Sequence, residues 1–263
     1  MDEREALLRA VAANPDEDTP RLMYADLLDE LGGDANTARA RFIRVQIDLA
    51  RNPGRSWFAS SDRLSEGARL AGQFADVWLN ELPEWAADAA RKQKLRADDF
   101  PRGFLNEFHI RPAAFAKNGP ELLDIAPVTR LVAKGPFSPP DLPALLGAPL
   151  LTRVRALALT HSTGDHTAVL VRTSPVLYAL EQLDLSVSSL SDTGAALLTQ
   201  SPGLSNLRIL TVRGNRLTER GVESLLSARN LPNLRELDAR GAADGYRWGP
   251  RVQKRFPKKT LLV

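Results

Sequence analysis

The sequence predicts an α/β repeat solenoid on three observations. Residues Leu207–Leu217 read Leu-Arg-Ile-Leu-Thr-Val-Arg-Gly-Asn-Arg-Leu, with apolar residues at the first, fourth, sixth and eleventh places and Asn at the ninth. That spacing recurs at Leu105/Phe108/Ile110, Val128/Leu131/Ala133, Val154/Leu157/Leu159, Leu180/Leu183/Leu185 and Leu234/Leu237/Ala239, at intervals of 23 to 27 residues. The intervals carry short helical stretches such as Leu142–Leu146, Ala168–Arg172, Asp192–Thr199 and Thr218–Arg229. This is the leucine-rich-repeat pattern, and it implies a curved parallel sheet with helices on the convex side. One strand, one turn and one helix cannot bury their own apolar face, so neighbouring units must cover it.

An all-helical N-terminal cap is expected before the repeats, over residues 1–100, with the repeat domain over 101–263. Residues 2–13 place Leu7, Leu8 and Val11 on one helical face, and Asn14-Pro15 ends that helix. Thr19 is the expected N-cap of a second helix, with Pro20 in its first turn. It runs to Leu31 and offers Leu22, Tyr24, Ala25, Leu28 and Leu31 for burial. Gly32-Gly33 stops it. A third helix, Thr37 to about Arg51, aligns Phe42, Val45 and Leu49, with Ile43 and Ile47 beside them. Asn52–Ser61 reads as a loop and Asp62–Asn80 as a helix with Leu64, Leu70, Phe74, Val77 and Trp78 inward. Glu84–Lys94 is a further helical stretch, and Pro101-Arg102-Gly103 opens the repeats. At the other end, Pro250–Phe256 reads as a helix and Thr260–Val263 as a last strand.

Asp18-Thr19-Pro20-Arg21-Leu22-Met23-Tyr24-Ala25-Asp26, then Gly32, then Ala40-Arg41-Phe42-Ile43-Arg44-Val45-Gln46, resembles the repeat-companion domain of planctomycete bacteria. The resemblance covers residues 2–51. Leu27 stands where that family commonly has Trp, and Arg41 where it commonly has an acidic residue. The family's helical module precedes leucine-rich repeats of the ribonuclease-inhibitor type, so the resemblance implies architecture and a binding role, with no catalytic residues. Within the motif, Asp26 and Arg44 are read as holding the second helix against the third, or as part of a docking face.

Composition narrows the function classes. The 263 residues are 25% charged and 43% hydrophobic, ordinary for a soluble globular protein, and the net charge is only +3. No cysteine occurs, which excludes disulfides and thiolate metal sites. The acidic start Met1-Asp2-Glu3 lacks a signal-peptide layout, and no apolar run has membrane-spanning length. A cytoplasmic protein is expected. No cofactor, metal or membrane partner is expected either. His161 and His166, five apart around Ser162 and Asp165, do not share a helical face and fall in the turn after a strand. No phosphate-binding glycine pattern follows a strand.

The informative surface is the outward side of the strands, whose side chains alternate in and out. The third places are Glu107, Arg130, Ala156, Gln182, Ile209 and Glu236. The fifth are His109, Val132, Ala158, Asp184, Thr211 and Asp238, and the seventh Arg111, Lys134, Thr160, Ser186, Arg213 and Arg240. Arg111, Arg130, Lys134, Gln182, Asp184, Arg213, Glu236, Asp238 and Arg240 are the expected partner-binding residues, for a protein or peptide on the concave face. The competing reading is that Arg213, Asp238 and Arg240 only neutralise one another. Nucleic acid is the alternative partner, through Arg247, Arg251, Lys254, Arg255, Lys258 and Lys259. It requires these on one open face beside Tyr246, Trp248 and Phe256.

Overall fold

A computed structural model describes residues 2–52, 57–93 and 95–263. The chain forms two units, Met1–His109 with Asn118–Thr129, and Ile110–Lys117 with Arg130–Val263. The boundary expected at residue 100 therefore falls inside the first unit.

The first unit contains α1 (Glu3–Ala13), α2 (Thr19–Leu31), α3 (Asp34–Arg51), α4 (Trp57–Trp78) and α5 (Glu84–Arg91), then a strand β1 (Glu107–His109) and the second half of α6 (Pro112–Ile125). Leu8, Val11, Tyr24, Ala25, Leu28, Ala40, Ile43, Ile47 and Phe104 form its core. Three boundaries differ from the sequence reading. Asp18, not Thr19, sits at the N-cap of α2, and its carboxylate makes no cap hydrogen bond; it pairs instead with Arg51 at 2.7 Å and Arg102 at 2.9 Å. α3 starts at Asp34 rather than Thr37, because Gly32 and Gly33 already complete the turn with positive φ. Of the expected loop Asn52–Ser61, residues 53–56 lie outside the described residues, and Trp57 begins α4. Leu31, Leu64 and Val77, expected inside, are exposed.

Polar burial in this unit is what the apolar periodicity did not announce. Arg21 is 1% exposed and its guanidinium donates to the carbonyls of Asn14, Pro15 and Glu17, pinning the α1–α2 loop. Burial, then repulsion from Arg102, pulls its pKa down to about 10, so it stays charged at neutral pH. Arg39 is also buried, with Cζ 4.9 Å from the ring centroids of both Trp78 and Phe104. Its Nη2 reaches Glu81 at 3.3 Å. The same carboxylate accepts the Tyr24 hydroxyl at 2.9 Å and Arg4 at 3.3 Å. Burial and the Glu81 charge push the Tyr24 hydroxyl pKa up. Removing one member of a buried charged cluster leaves the others uncompensated, at a cost of about 3–5 kcal/mol. Glu81→Leu is expected to destabilise by that amount in urea unfolding, and an unchanged midpoint would show that Arg39 is stabilised by its aromatic neighbours alone.

In the second unit strand and helix alternate: β2 (Arg130–Lys134), α7 (Asp141–Leu146), β3 (Ala156–Thr160), α8 (Asp165–Thr173), β4 (Gln182–Asp184), α9 (Asp192–Leu198), β5 (Ile209–Thr211), α10 (Glu219–Ser227), β6 (Glu236–Asp238), α11 (Gly245–Arg255) and β7 (Thr260–Leu262). Strands β2 to β7 pair in parallel, each with the next in the chain, and the sheet stays open. The register matches the repeat: Leu131, Leu157, Leu183, Leu210, Leu237 and Leu261 stand in one row. All but Leu261 are buried to 2% exposure or less. The last interval is shorter than the others: Thr260 pairs with Glu236, 24 residues earlier, whereas a strand in register with the 26- and 27-residue repeats would place Thr260 opposite Leu234. The helices pack on their sequence neighbours, α7 on α8, α8 on α9, α9 on α10 and α10 on α11.

Side chains bond one repeat to the next at two levels. At the turn after the strand, Asn215 is 7% exposed and its Oδ1 accepts the backbone N–H groups of Ser188 at 2.9 Å and Leu190 at 3.0 Å. Its Nδ2 donates to the carbonyls of Leu185 at 2.8 Å and Val212 at 2.9 Å. One repeat earlier, the Ser188 hydroxyl takes the Ser162 N–H at 3.0 Å. At the helix starts, Asp165 accepts both the N–H and the hydroxyl of Ser191, the N-cap of α9. Asp192 does the same for Thr218, the N-cap of α10. A side chain at Gly221 would leave its Cβ 2.2 Å from Asp192 Oδ1, so this joint needs glycine. Asn215→Ala orphans buried backbone groups at about 1–3 kcal/mol each. We expect a total loss of about 3 kcal/mol with one cooperative transition; separate transitions on either side of the substitution would show that the repeats do not act as one unit.

Candidate interaction surface

Alternation along the strands produces the surface. In β2 the order is exposed, buried, half-buried, buried, exposed, from Arg130 to Lys134. Across β2 to β5 the fifth places, Val132, Ala158, Asp184 and Thr211, are all half-buried and share one row. The seventh places follow one residue beyond the inward sixth. Lys134 stands opposite Thr160, and the backbone bonds His161 N to Ser186 O and Val187 N to Arg213 O carry the row onward. Glu107 and His109 belong to the first unit, where they lie 3.5 Å apart.

The expected partner-binding residues divide by what they already hold. Arg130 donates to Gln182 Oε1 at 2.9 Å, reaching across the small Ala156 between them. Asp184 accepts the Ser186 N–H at 2.7 Å and its hydroxyl. Asp238 is 6% exposed and gripped by Arg240, through Nε at 2.9 Å and through Nη2. Hydrogen bonds from Arg240 hold the Asp238 carboxyl below the usual range, with Arg213 adding to the effect. Part of the neutralisation foreseen among these three residues is therefore built in. Glu236 is half-buried on the third-place row. Arg111, Lys134 and Arg213 are exposed, and among the described residues their charged ends make no hydrogen bond or ion pair.

A second feature of this edge escaped the periodicity. The eighth place needs left-handed backbone, and Gly214 and Gly241 supply it at φ 65° and 77°. His161 and Val187 occupy the same place at φ 57° and 53°. A β-branched residue there is strained by about 1–2 kcal/mol. Val187 is 51% exposed, so its side chain offsets little of that strain within the fold. Relief of strain outweighs the added freedom of the unfolded chain, so Val187→Gly is expected to raise stability by about 1 kcal/mol. Thermal unfolding measures this, and a lowered midpoint would show that the valine is held by contacts inside the protein.

The carboxy-terminal basic residues do not converge. Arg251 and Arg255 pair with Glu219 at 3.0 and 3.5 Å, and Arg255 also with Glu223. Lys259 Nζ donates to the Leu226 carbonyl, where burial lowers its pKa. Trp248 is buried with Nε1 on the Ala243 carbonyl at 2.7 Å, and Phe256 is half-buried. Tyr246 alone of the three aromatics is exposed, with the Arg247 guanidinium 5.4 Å from its ring centroid. Arg247, Lys254 and Lys258 are exposed on the same segment.

His161 lies in its turn, while His166 falls in the first turn of α8, away from the loop expected for both. Among the described residues no group of three or more His, Cys, Asp or Glu is placed to hold a metal, and no helix is long and apolar enough to cross a membrane. In the first unit Arg44 bridges Asp26 and Asp29, each at 2.7 Å, and so ties α3 to α2. In comparisons with known proteins, no family model matches this sequence and no curated protein matches it.

Proposed function

We propose that this chain is a leucine-rich-repeat interaction module without enzymatic activity, binding a protein or peptide on the outward, concave side of its strands. The spacing of the apolar residues and the parallel register of β2 to β7 support the repeat class. The helical unit before them is assigned to the repeat-companion type by its motif, with Arg44, Asp26 and Asp29 in a structural role. One observation carries the functional reading: among the described residues Lys134 and Arg213 make no side-chain hydrogen bond or ion pair, on a face where Arg130, Asp184, Asp238 and Arg240 are bonded to neighbours. On the adjoining rows of the same strands lie half-buried Val132, Ala158 and Ile209, which offer apolar area without a large patch.

The nucleic-acid reading loses support because three of its six basic residues are engaged with α10 and only one of its three aromatics is open. The test is a pair of double reversals carried through affinity capture. Lys134→Glu with Arg213→Glu alters the strand face, and Arg220→Glu with Arg229→Glu alters exposed positions at α10 and just beyond it. Like charges brought together at an interface cost several kcal/mol, so the first variant is expected to lose a captured partner and the second to keep it. Equal retention by both, with circular dichroism unchanged, would place the binding surface elsewhere.

A further inference from the structure

We propose that the occupant of this face is an acidic protein segment in extended conformation, laid across β2 to β5. One of its carboxylates meets Lys134, another meets Arg213, and an apolar side chain between them rests on Val187. The proposal rests on the reading above and specifies the chemistry of the partner.

Charge selects the sign. On the seventh-place row Arg240 is already committed to Asp238 by direct hydrogen bonds, and Arg213 acts on Asp238 only at longer range; among the described residues Lys134 and Arg213 make no ion pair. Between these two the row carries only hydroxyls, Thr160 and Ser186, which can bond to a backbone passing over them. Spacing selects the conformation. Lys134 and Arg213 are three strands apart, about 14 Å at about 4.8 Å per strand. An extended chain advances about 3.3 Å per residue, so acidic residues about four positions apart reach both cations. A continuous polyanion fits less well, because its regular charges would also meet Asp184, Glu236 and Asp238 on the adjoining rows. Val187 is the independent observation. Its strained backbone and half-exposed side chain sit at the edge of the row between Ser186 and Gly214, where apolar area is of use to a bound chain and of little use to the fold.

The experiment is a titration of the full-length protein, isotopically labelled, followed by backbone amide shifts in nuclear magnetic resonance. Four probes are compared: a peptide with two glutamates four apart flanking a leucine, the same composition with the glutamates adjacent, a lysine counterpart of the first, and a short single-stranded oligonucleotide. The first peptide is expected to shift the amides of Lys134, Thr160, Ser186, Val187 and Arg213 and to bind most tightly. Raised salt is expected to weaken it. Lys134→Glu and Arg213→Glu are each expected to weaken binding about tenfold. Val187→Gly is expected to weaken it roughly three- to tenfold while the protein melts no lower than wild type, which separates contact from folding. Tighter binding of the lysine peptide or the oligonucleotide at these residues would overturn the acidic-segment assignment and leave the face in use. Equal binding of the two glutamate peptides would overturn the extended geometry, and no shift on this face with any probe would overturn the proposal outright. Failure of the broader reading shows separately, as retention of a captured partner by the Lys134/Arg213 double reversal.

Discussion

Backbone groups in the turns after the strands are bonded in large part by side chains of the next repeat, and this constraint organises the second unit. Asn215 meets it most fully, with four main-chain partners that span two turns. Ser188 meets it with a hydroxyl, and the Asp165–Ser191 and Asp192–Thr218 joints repeat the solution at the helix starts. Because each repeat completes the hydrogen bonding of its neighbour, the sheet and the helix layer are locked in one register. Apolar burial supplies the bulk of the stability, and these polar joints exclude slipped alternatives.

The first unit reaches order by another route. Among its described residues it buries Arg21 and Arg39, each held by geometry particular to its site while Arg21 Nε and Arg39 Nε and Nη1 keep no hydrogen-bond partner. Arg21 closes a loop through three carbonyls, and Arg39 lies between two aromatic rings while sharing Glu81 with Tyr24 and Arg4. Charges buried in this way contribute less to net stability than to the uniqueness of the packing, since their desolvation offsets much of their attraction. Two residues of the motif, Arg21 and Tyr24, carry these contacts and a third, Asp18, pairs with Arg51 and Arg102, so the motif reads as packing instructions.

On the outward side of the strands, the fold itself uses several of the charged side chains. Asp238 with Arg240, Asp184 with Ser186 and Arg130 with Gln182 are internal arrangements that leave the face partly neutral. What remains without such a bond among the described residues is smaller than the nine residues read from the sequence: the exposed cations Arg111, Lys134 and Arg213, with Thr160 and Ser186 between the last two and a strained Val187 at the edge. A polar face with few open charges favours a partner whose own charges are spaced to match.

The sequence by itself determined the register of β2 to β6, the inward leucines, the buried Asn215 and the helical character of the first hundred residues. These depend on periodicity and on local backbone chemistry, which are written along the chain. The partners of Arg21, Arg39, Asp165 and Asp192 were decided only in the tertiary structure, because each bond joins residues distant in sequence or in different repeats. The left-handed backbone at Val187 belongs to the same class in part: the glycines at 214 and 241 signal the turn, but nothing local to valine announces it. Burial of Trp248 and capture of Arg251, Arg255 and Lys259 by α10 likewise turned a basic tail into the closing edge of the sheet. A charge pattern names the sign of what a surface can meet; which charges remain free to meet it depends on contacts that only folding creates.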